Sequence, residues 1–297
     1  MITVKVPATS ANCSIGFDCL GLALDWKSSI TFEPCDTLQI TGCPAEYATA
    51  DNLVYQAFAY TCKAVNLPVP GVHIHIDSDI PFARGLGSSS QCIAAGILGA
   101  DAMCRMELDD REKLDIATEI EGHPDNVAPA LRGGLCSCIT TKANRILPID
   151  LGAHDWKALV VIPDYEVSTK EARKVLPDSI PLHEAAMQVG HALLFEYAWQ
   201  HQDEKLLYEA CVDVLHEPSR SKLIQDYPAL AKLAEQYKLP FWISGSGPTM
   251  AFVSQDEDQL RNLQNYIACQ EFFGQNGQHL KLRLCKVSDS GAEVIYG

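Results

Sequence analysis

Alternating apolar and polar positions predict that much of the first half of the chain forms short strands. The run Ile2–Val6 alternates in this way, and so does Gly71–Asp77, as expected for strands with one buried face. The other strands predicted in this half are Ser28–Phe32, Leu38–Thr41 and Leu135–Thr140. Apolar residues at helical spacing predict helices at Asp51–Val65, Ser88–Cys104, Asp110–Glu121 and, more briefly, within "PDNVAPAL". Asp51 stands where an N-cap is expected.

The second half is predicted to be richer in helix. It opens on the apolar strand Lys157–Ile162 and has helical spacing from about Ser168 to Lys238. Two strands flanking a glycine turn are predicted within Pro240–Val253, then a helix at Glu257–Ala268 and a strand at Leu280–Cys285. Strands and helices alternate irregularly, and the early strands suit antiparallel pairing. This pattern favours an α+β fold over a doubly wound parallel sheet.

Length and composition bound the class of protein. The 297 residues suffice for two domains, and we expect a boundary near residue 150 that separates domains 1–150 and 151–297. Hydrophobic residues make up 47% and charged residues 21%, which is typical of a soluble globular protein. The net charge of −15 argues against a nucleic-acid-binding face, and no apolar run is long enough for a membrane helix. The start "MITVKVPATS" lacks a secretory pattern, so we expect a cytoplasmic protein.

The cysteines and histidines give no metal-binding signal. Twelve cysteines are scattered along the chain without a C-x-x-C pair, and the nearest spacing is Cys136-x-Cys138. One such pair cannot hold zinc alone, so we expect reduced thiols that mostly fill the core. His73 and His75 alternate on a predicted strand and could face one side as ligands. Because no third ligand stands nearby in the sequence, we expect an exposed strand face instead.

The stretch "IPFARGLGSSSQC", Ile80–Cys92, carries two glycines and three consecutive serines between a predicted strand and a predicted helix. It lacks the lysine of a Walker loop, the third glycine of a dinucleotide fingerprint and the G-x-S-x-G of a nucleophile elbow. It still suits an anion, because glycines let the backbone approach a ligand and a helix N-terminus offers unpaired N–H groups and a positive dipole end. The alternative is a serine N-cap after a glycine turn.

Two further segments combine small polar residues with glycines. "PATSANCSIGFDCLGLAL", Pro7–Leu24, is expected to be a glycine-bearing loop after the first strand, and such loops suit recognition of a small polar molecule. Its asparagine and aspartate could equally cap turns. "SGSGPT", Ser244–Thr249, fits a hairpin turn when it is taken alone.

In this order, the three segments resemble the signature motifs of the GHMP small-molecule kinase family, and "GHPDNVAPALRGG", Gly122–Gly134, adds a likeness to its homoserine kinase branch. The resemblance runs from Pro7 to Thr249. It implies a two-domain α+β fold, with an N-terminal domain of ribosomal protein S5 domain 2-like architecture and a C-terminal ferredoxin-like α/β sandwich. It also implies ATP and Mg²⁺, phosphorylation of the homoserine hydroxyl on the route to threonine, and a homodimer.

The resemblance implies that the phosphate loop binds ATP. Its residues would be Pro81, Phe82, Ala83, Arg84, Gly85, Leu86, Gly87, Ser88, Ser89, Ser90 and Gln91. Ser88 or Ser89 would offer a hydroxyl to Mg²⁺, whose coordination shell is made of oxygens. The metal carboxylate would come from the following helix, where Glu119 and Glu121 compete. Glu119 is preferred because it stands farther from the fraying helix end, although either could be a solvated surface glutamate.

Homoserine carries an ammonium, a carboxylate and a hydroxyl, so its site needs a carboxylate, an arginine and neutral polar groups. By resemblance, Asp18 would hold the ammonium and Asn12 the hydroxyl or the amino group. Four more residues would complete the substrate site, two orienting the other end of the substrate and two arginines binding its carboxylate: His123, Asn126, Arg173 and Arg220. A guanidinium binds a carboxylate bidentately, although each arginine could also be a surface residue.

Asp125 stands where many GHMP kinases have the aspartate of a lysine–aspartate pair, but "PATSAN" contains no lysine. We therefore expect Asp125 and Asn12 to be the catalytic residues, with Asp125 orienting the hydroxyl and acting at most as a weak base. The phosphates and Mg²⁺ would supply most of the stabilisation. Thr249 and Gly245–Gly247 would support the phosphate loop from below. Two other functions stay open, a mevalonate- or sugar-type GHMP kinase and a non-catalytic ligand-sensing relative.

Overall fold

The computed structural model describes residues 1–143, 145–270 and 280–297 as two β-sheets and ten α-helices. The strands are β1 (Ile2–Ala11), β2 (Leu20–Pro34), β3 (Gln39–Thr41), β4 (Val72–Asp77), β5 (Leu135–Thr140), β6 (Ile146–Asp150), β7 (Lys157–Ile162), β8 (Phe241–Ile243), β9 (Met250–Ser254), β10 (Lys281–Lys286) and β11 (Glu293–Tyr296). The helices are α1 (Leu53–Ala64), α2 (Ser88–Cys104), α3 (Asp110–Glu121), α4 (Pro124–Arg132), α5 (Thr169–Lys174), α6 (Leu182–Gln200), α7 (Glu204–Ala210), α8 (Glu217–Arg220), α9 (Tyr227–Tyr237) and α10 (Glu257–Ala268).

The first sheet is built around β1 and β2. Its order is β11-β1-β2-β4-β3, and β5 pairs with both β2 and β6. Alternate residues such as Val4, Val6 and Phe32 are buried together with residues of α1 and α2, because successive side chains of a strand face opposite sides. The strand predicted from Ile2–Val6 is confirmed. Neighbouring strands are antiparallel, as expected, except that β3 and β4 are parallel.

Helix α2 lies very close to its neighbours because two glycines remove side chains at the contacts. A Cβ on Gly96 would lie 2.4 Å from the carbonyl oxygen of Val54 in α1, and one on Gly99 would lie 2.5 Å from the Phe32 ring. The helix is largely buried from Ser90 to Ala100. This packing fixes the position of the helix N-terminus within the molecule.

The second sheet has the order β10-β7-β9-β8, and all its neighbouring strands are antiparallel. Leu230 of α9 and Leu260 of α10 are buried in one cluster with Phe252 of β9. This order is that of a ferredoxin-like α/β sandwich. The two sheets also share a core, in which Leu24 of β2 packs in the same cluster as Trp156 and Trp199. Dense packing between the sheets fixes the shape of the cleft between them.

Two strands, β6 and β11, have no clear signal in the sequence. β6 lies in the segment where a soft domain boundary is expected. β11 pairs with β1, with Tyr296 opposite Ile2 and Glu293 opposite Lys5, so residues 293–296 belong to the first sheet. Neither strand has a buried apolar face, and β11 pairs with a strand at the other end of the chain, so the local pattern of both strands is weak.

Two local predictions are corrected. Asn52, and not Asp51, caps α1, because its side-chain oxygen accepts a hydrogen bond from the Val54 N–H at 3.0 Å. The expected loop from residue 7 to residue 24 is mostly strand, since β1 continues to Ala11 and β2 begins at Leu20. Residues 6–11 are buried on both faces, so the alternation that marks a half-buried strand is absent there.

The cysteines lie partly in the core and partly outside it, and the two histidines of β4 have a hydrogen-bond partner on β3. All twelve cysteines are free thiols, five of them buried. The Thr41 hydroxyl forms a hydrogen bond with a ring nitrogen of His73 and with one of His75, each at 2.9 Å, on the outer face of β4. In the described ranges, no helix combines the length and the apolar character needed to cross a bilayer.

The cap of α1 can be tested by a pair of adjacent substitutions. Asn52→Ala removes the hydrogen bond to the Val54 N–H and should lower the free energy of unfolding by about 1 kcal/mol, the usual effect of losing an N-cap. Asp51→Ala is the matched control and should change it far less. Urea denaturation followed by circular dichroism measures both, and equal losses would contradict the assignment of the cap.

Candidate active site

A cavity of about 810 Å³ lies between the two sheets, beside the N-terminus of α2 and the segment that leads into α5. All seven of the predicted catalytic and substrate-binding residues line it: Asn12, Asp18, His123, Asp125, Asn126, Arg173 and Arg220. Five of the predicted phosphate-loop residues line it as well: Ala83, Gly85, Gly87, Ser88 and Ser89. The fold therefore brings together side chains from position 12 to position 220 of the chain.

The phosphate loop depends on glycine at two positions. Gly85 and Gly87 have φ values of 80° and 65°, in the left-handed region that favours glycine. A Cβ on Gly87 would lie 1.8 Å from the Thr9 hydroxyl oxygen, and one on Gly85 would lie 2.3 Å from the Ser244 carbonyl oxygen. Gly87 is also the N-cap of α2. Glycine thus lets the loop pack closely against Thr9 and Ser244, and the N-terminus of α2, with its first N–H groups and the positive end of the helix dipole, lies at the cavity.

The turn "SGSGPT" supports this loop through direct contacts, as expected. The Ser244 hydroxyl donates to the Gly85 carbonyl at 2.6 Å, and the Thr249 N–H donates to the Arg84 carbonyl at 3.2 Å. On the other side, the Thr9 N–H of β1 donates to the Leu86 carbonyl at 3.1 Å. The loop is thus held between the two sheets.

The serines at the start of α2 contact the carboxylate at the end of α3. The Ser89 hydroxyl donates to Glu121 at 2.6 Å, and the Ser90 hydroxyl donates to the same carboxylate at 3.1 Å. Glu119 is exposed and forms a hydrogen bond with Tyr60 of α1, which raises the pKa of Tyr60. The structure thus places Glu121, and not the preferred Glu119, beside the serines of α2, because residues two apart on a helix lie on different faces.

The oxygens around Ser89 fit the chemistry of a magnesium site. Mg²⁺ takes one or two carboxylates together with phosphate oxygens and water. Glu121 supplies a carboxylate beside the Ser89 hydroxyl, and both line the cavity. These two side chains could hold Mg²⁺ next to a phosphate bound at the N-terminus of α2.

Asp18, His123 and Asp125 form a second polar group, with ligand atoms all within 4.8 Å of one another. His123 Nδ1 and the buried carboxylate of Asp125 share a short hydrogen bond. This hydrogen bond raises the pKa of His123, and the nearby charges of Asp125, Glu121 and Asp18 raise it further against the effect of burial. The positive form of His123 is therefore stabilised among three carboxylates.

The turn between β1 and β2 presents Asp18 to the cavity. Asn12, Cys13, Ser14 and Asp18 all have positive φ, from 44° to 68°, so the backbone folds back sharply. The Asn12 side-chain oxygen accepts from the Asp18 N–H at 3.0 Å, and its amide donates to the Gly245 carbonyl at 2.9 Å. Asn12 therefore fixes the turn, in addition to lining the cavity.

Two arginines stand beside this turn. Arg173 binds Asp18 bidentately, with N–O distances of 2.8 and 3.0 Å. Arg220 is almost fully buried and donates to the carbonyls of Gly245 and Ala172. Both guanidinium groups lie over the ring of Phe17. Neither arginine is a free surface residue, which was the alternative to a role in binding.

Two family models match the chain, one for the GHMP kinases N terminal domain over residues 52–134 and one for GHMP kinases C terminal over residues 200–273. The homoserine kinase of Clostridium beijerinckii is 37% identical over 302 residues, an alignment that covers 100% of this chain and 99% of that protein. The chain belongs to the GHMP kinase family.

Other members of the GHMP family are similar to this chain over its full length. The homoserine kinase of a Synechococcus species is 36% identical, covering 99% of this chain and 97% of that protein. The crystal structure of homoserine kinase from Cytophaga hutchinsonii superposes with a TM-score of 0.86 at 27% identity, over 99% of this chain and 97% of the other. A mevalonate kinase structure has a TM-score of 0.71 at 15% identity, over 96% of this chain and 99% of the other, and shares the fold alone. The predicted two-domain GHMP kinase fold is confirmed.

Several residues predicted to belong to the GHMP phosphate loop are buried behind it and do not face the cavity. Leu86 is buried in the core, and the Gln91 side chain is buried between the Leu86 carbonyl and the Ser28 hydroxyl. Ser90 is also buried. Six of the predicted loop residues do not line the cavity: Pro81, Phe82, Arg84, Leu86, Ser90 and Gln91. Sequence proximity to the glycines includes them in the motif, whereas the helical turn that begins at Ser88 directs some of them inward.

No sequence pattern predicted the buried polar network that supports the turn between β1 and β2. The His216 Nε2 donates to the Ser14 carbonyl at 2.7 Å, and the Gln188 amide donates to the Ile15 carbonyl at 2.8 Å. The Asp213 carboxylate accepts from Gln188 and from the backbone N–H of His216. Burial lowers the pKa of His216. The stretch "HEPSR" looks like an ordinary helix start, and only its burial shows that it supports the turn.

Glu217 is a buried acid next to this polar network. It is buried and accepts from the Ile243 N–H of β8 at 2.8 Å. Burial raises the pKa of Glu217 to about 8. The folded protein therefore keeps a proton that the unfolded chain releases near pH 4.3.

This proton links stability to pH. Because the folded-state pKa is the higher one, the free energy of unfolding should fall as pH rises from about 4.5 to 8, by at most about 1.4 kcal/mol per pH unit. Glu217→Gln should remove this part of the slope, while the exposed Glu235→Gln should not. Urea denaturation at pH 5.5, 6.5 and 7.5 measures the slopes. The same slope in wild type and Glu217→Gln would contradict a buried proton on Glu217.

Proposed function

We propose that this protein transfers the γ-phosphoryl group of ATP to the side-chain hydroxyl of L-homoserine and forms O-phospho-L-homoserine, a step on the route to threonine. The observation that carries the proposal is the ion pair of Asp18 and Arg173, which stands beside Arg220 in the cavity next to the N-terminus of α2. The full-length similarity to proteins named homoserine kinase supports the same substrate.

The ion pair favours a substrate that carries both charges. A zwitterionic amino acid gives each member of the pair a new partner of opposite charge. Its ammonium would bind Asp18, and its carboxylate would bind Arg173 and Arg220. A hydroxy acid without an amine would occupy Arg173 and leave Asp18 without a partner, which is costly in a partly desolvated site. A neutral sugar would leave the pair intact. These charges argue against a mevalonate- or sugar-type kinase.

The phosphates would bind at the N-terminus of α2. The backbone N–H groups of the loop from Gly85 to Ser89 are the donors, and Ser89 with Glu121 would hold Mg²⁺. Bound there, Mg²⁺ would neutralise charge on the phosphate oxygens. A catalytic protein needs a phosphate loop and side chains for the metal, and the chain keeps both in Gly85, Gly87, Ser89 and Glu121. Their presence argues against a ligand sensor that has lost activity.

Asp125 would orient the substrate hydroxyl for in-line attack. It is buried beside His123, stands within reach of Asp18 and lines the same cavity as the arginines and the phosphate loop. The transition state of phosphoryl transfer is loose, so positioning matters more than proton removal. Asp125 can act as a weak base at most. Asn12 contributes by holding the turn that carries Asp18, and Asn126 by accepting from the Thr9 hydroxyl at 2.7 Å.

We also propose that the enzyme acts in the cytoplasm as a homodimer, with domains that divide near residue 150, between β6 and β7. Exposed apolar residues on α6, including Leu182, Val189 and Leu193, support association with a second copy.

The proposed substrate is tested by measuring ADP release with homoserine, mevalonate and galactose side by side. Turnover is expected with homoserine alone. Turnover of mevalonate or galactose in its place would identify another GHMP kinase. ATP binding without turnover of any of the three would favour a ligand sensor.

Asp18→Asn should change the preference between homoserine and 4-hydroxybutyrate, which lacks the amine. For homoserine, kcat/KM should fall about tenfold to a hundredfold, because a charged partner of the ammonium is lost. For 4-hydroxybutyrate it should rise, because Arg173 no longer has to leave an ion pair. The exposed Asp178→Asn is the matched control. An unchanged ratio of the two kcat/KM values would contradict the role of Asp18.

The metal carboxylate is tested with two isosteric variants. Glu121→Gln should raise the Mg²⁺ concentration needed for half-maximal activity about tenfold or more, since it removes a charged ligand. Glu119→Gln should leave it unchanged, because Glu119 is exposed beside Tyr60. A larger effect of Glu119→Gln than of Glu121→Gln would overturn the assignment.

A further inference from the structure

The ring of Phe17 contacts both arginines of the cavity. The Cζ atom of Arg173 lies 5.6 Å from the ring centroid, and that of Arg220 lies 5.1 Å from it. A guanidinium within about 6 Å of an aromatic centroid is attracted by the negative face of the ring. The two cations repel each other, and the charge of Arg173 lowers the pKa of Arg220 beyond the effect of burial. An aromatic face beside both cations offsets part of this repulsion.

The two arginines differ in what else holds them. Arg220 is buried, and its Nη1 and Nε donate to the carbonyls of Gly245 and Ala172. The hydrogen bonds of the Arg173 guanidinium within the described structure both go to Asp18. If a substrate ammonium takes Asp18, as proposed above, Arg173 loses these bonds at the moment when it must bind the carboxylate. The cation–π contact with the Phe17 ring would remain.

The ring itself is held by its surroundings. Phe17 belongs to the sharp turn between β1 and β2, and its ring stacks on the imidazole of His216 with centroids 5.4 Å apart and planes 28° apart. His216 is fully buried and donates to the Ser14 carbonyl of the same turn. Phe17 therefore has a defined orientation, which a positioning role requires.

We propose that Phe17 is a positioning residue that holds Arg173, and with it Arg220, in the orientation that receives the substrate carboxylate. This inference rests on the proposed function, since it takes the carboxylate of an amino acid as the ligand of the arginines. Phe17 touches the arginines and has no part in phosphoryl transfer. Its loss should therefore weaken binding of the amino acid and leave ATP binding and the chemical step almost unchanged.

The test replaces Phe17 with phenylalanines that carry one, two and three ring fluorines, introduced at this position in the full-length chain. Fluorine withdraws negative charge from the face of the ring while the shape of the side chain is nearly kept. The KM for homoserine should rise with each fluorine, by about fivefold to thirtyfold over the series, the range expected for one or two cation–π contacts. The KM for ATP and kcat should change less than about twofold.

Two ordinary variants complete the experiment. Phe17→Leu keeps an apolar side chain without the ring and should match the trifluoro protein in KM for homoserine. Tyr208→Leu removes another cation–π pair, with Lys238 at 5.2 Å and outside the cavity, and should leave the KM unchanged. A KM for homoserine that stays constant along the fluorine series would overturn the proposal. Failure of the proposed function is distinct, because the wild-type protein would then not turn over homoserine at all.

Discussion

The site depends on a close approach of three backbone segments that are distant in the chain. The Thr9 N–H of β1 donates to the phosphate loop at Leu86, and the Gly245 N–H of the "SGSGPT" turn donates back to β1 at Ala11. The third contact joins this turn to the phosphate loop, where the Ser244 hydroxyl donates to the Gly85 carbonyl. Glycine at the contact positions removes the side chains that would separate these segments. The N-terminus of α2, the turn that carries Asp18 and the second sheet therefore have fixed positions relative to one another.

Several charged side chains of the cavity have partners within the protein, although the chain as a whole has a net charge of −15. Arg173 pairs with Asp18, His123 with Asp125, and Glu121 accepts from the serines at the start of α2. Each pair stabilises the free protein, because the side chains are partly or fully buried and their charges are less well solvated there. A ligand that carries both signs of charge can take the place of such a pair, whereas a ligand with one sign leaves a charge without its partner. Pairing within the protein is thus also a basis for selectivity.

Local sequence patterns predict the helices better than the ends and edges of the fold. The helices α2 and α3 begin and end where the pattern predicts, because their apolar spacing is a property of the segment itself. The N-cap of α1 is predicted one residue too early, because Asp51 and Asn52 have similar capping chemistry. Strands β6 and β11 are missed because they are recognisable by their pairing with β5 and β1 and not by a pattern of their own. The predicted site residues lie together, but the choice between Glu119 and Glu121 depends on which face of α3 meets α2.

The sequence by itself determined the family, the anion-binding loop and the kinds of side chain at the site, since these are recorded as residue types at short spacings. Only the tertiary structure decided which glutamate meets Ser89, that Asp18 and Arg173 are paired, and that Phe17 and His216 lie beneath the arginines. The reason is physical. Hydrogen bonds, ion pairs and ring contacts form between atoms a few ångströms apart, and for residues 32 to 202 positions apart that distance is set by packing alone.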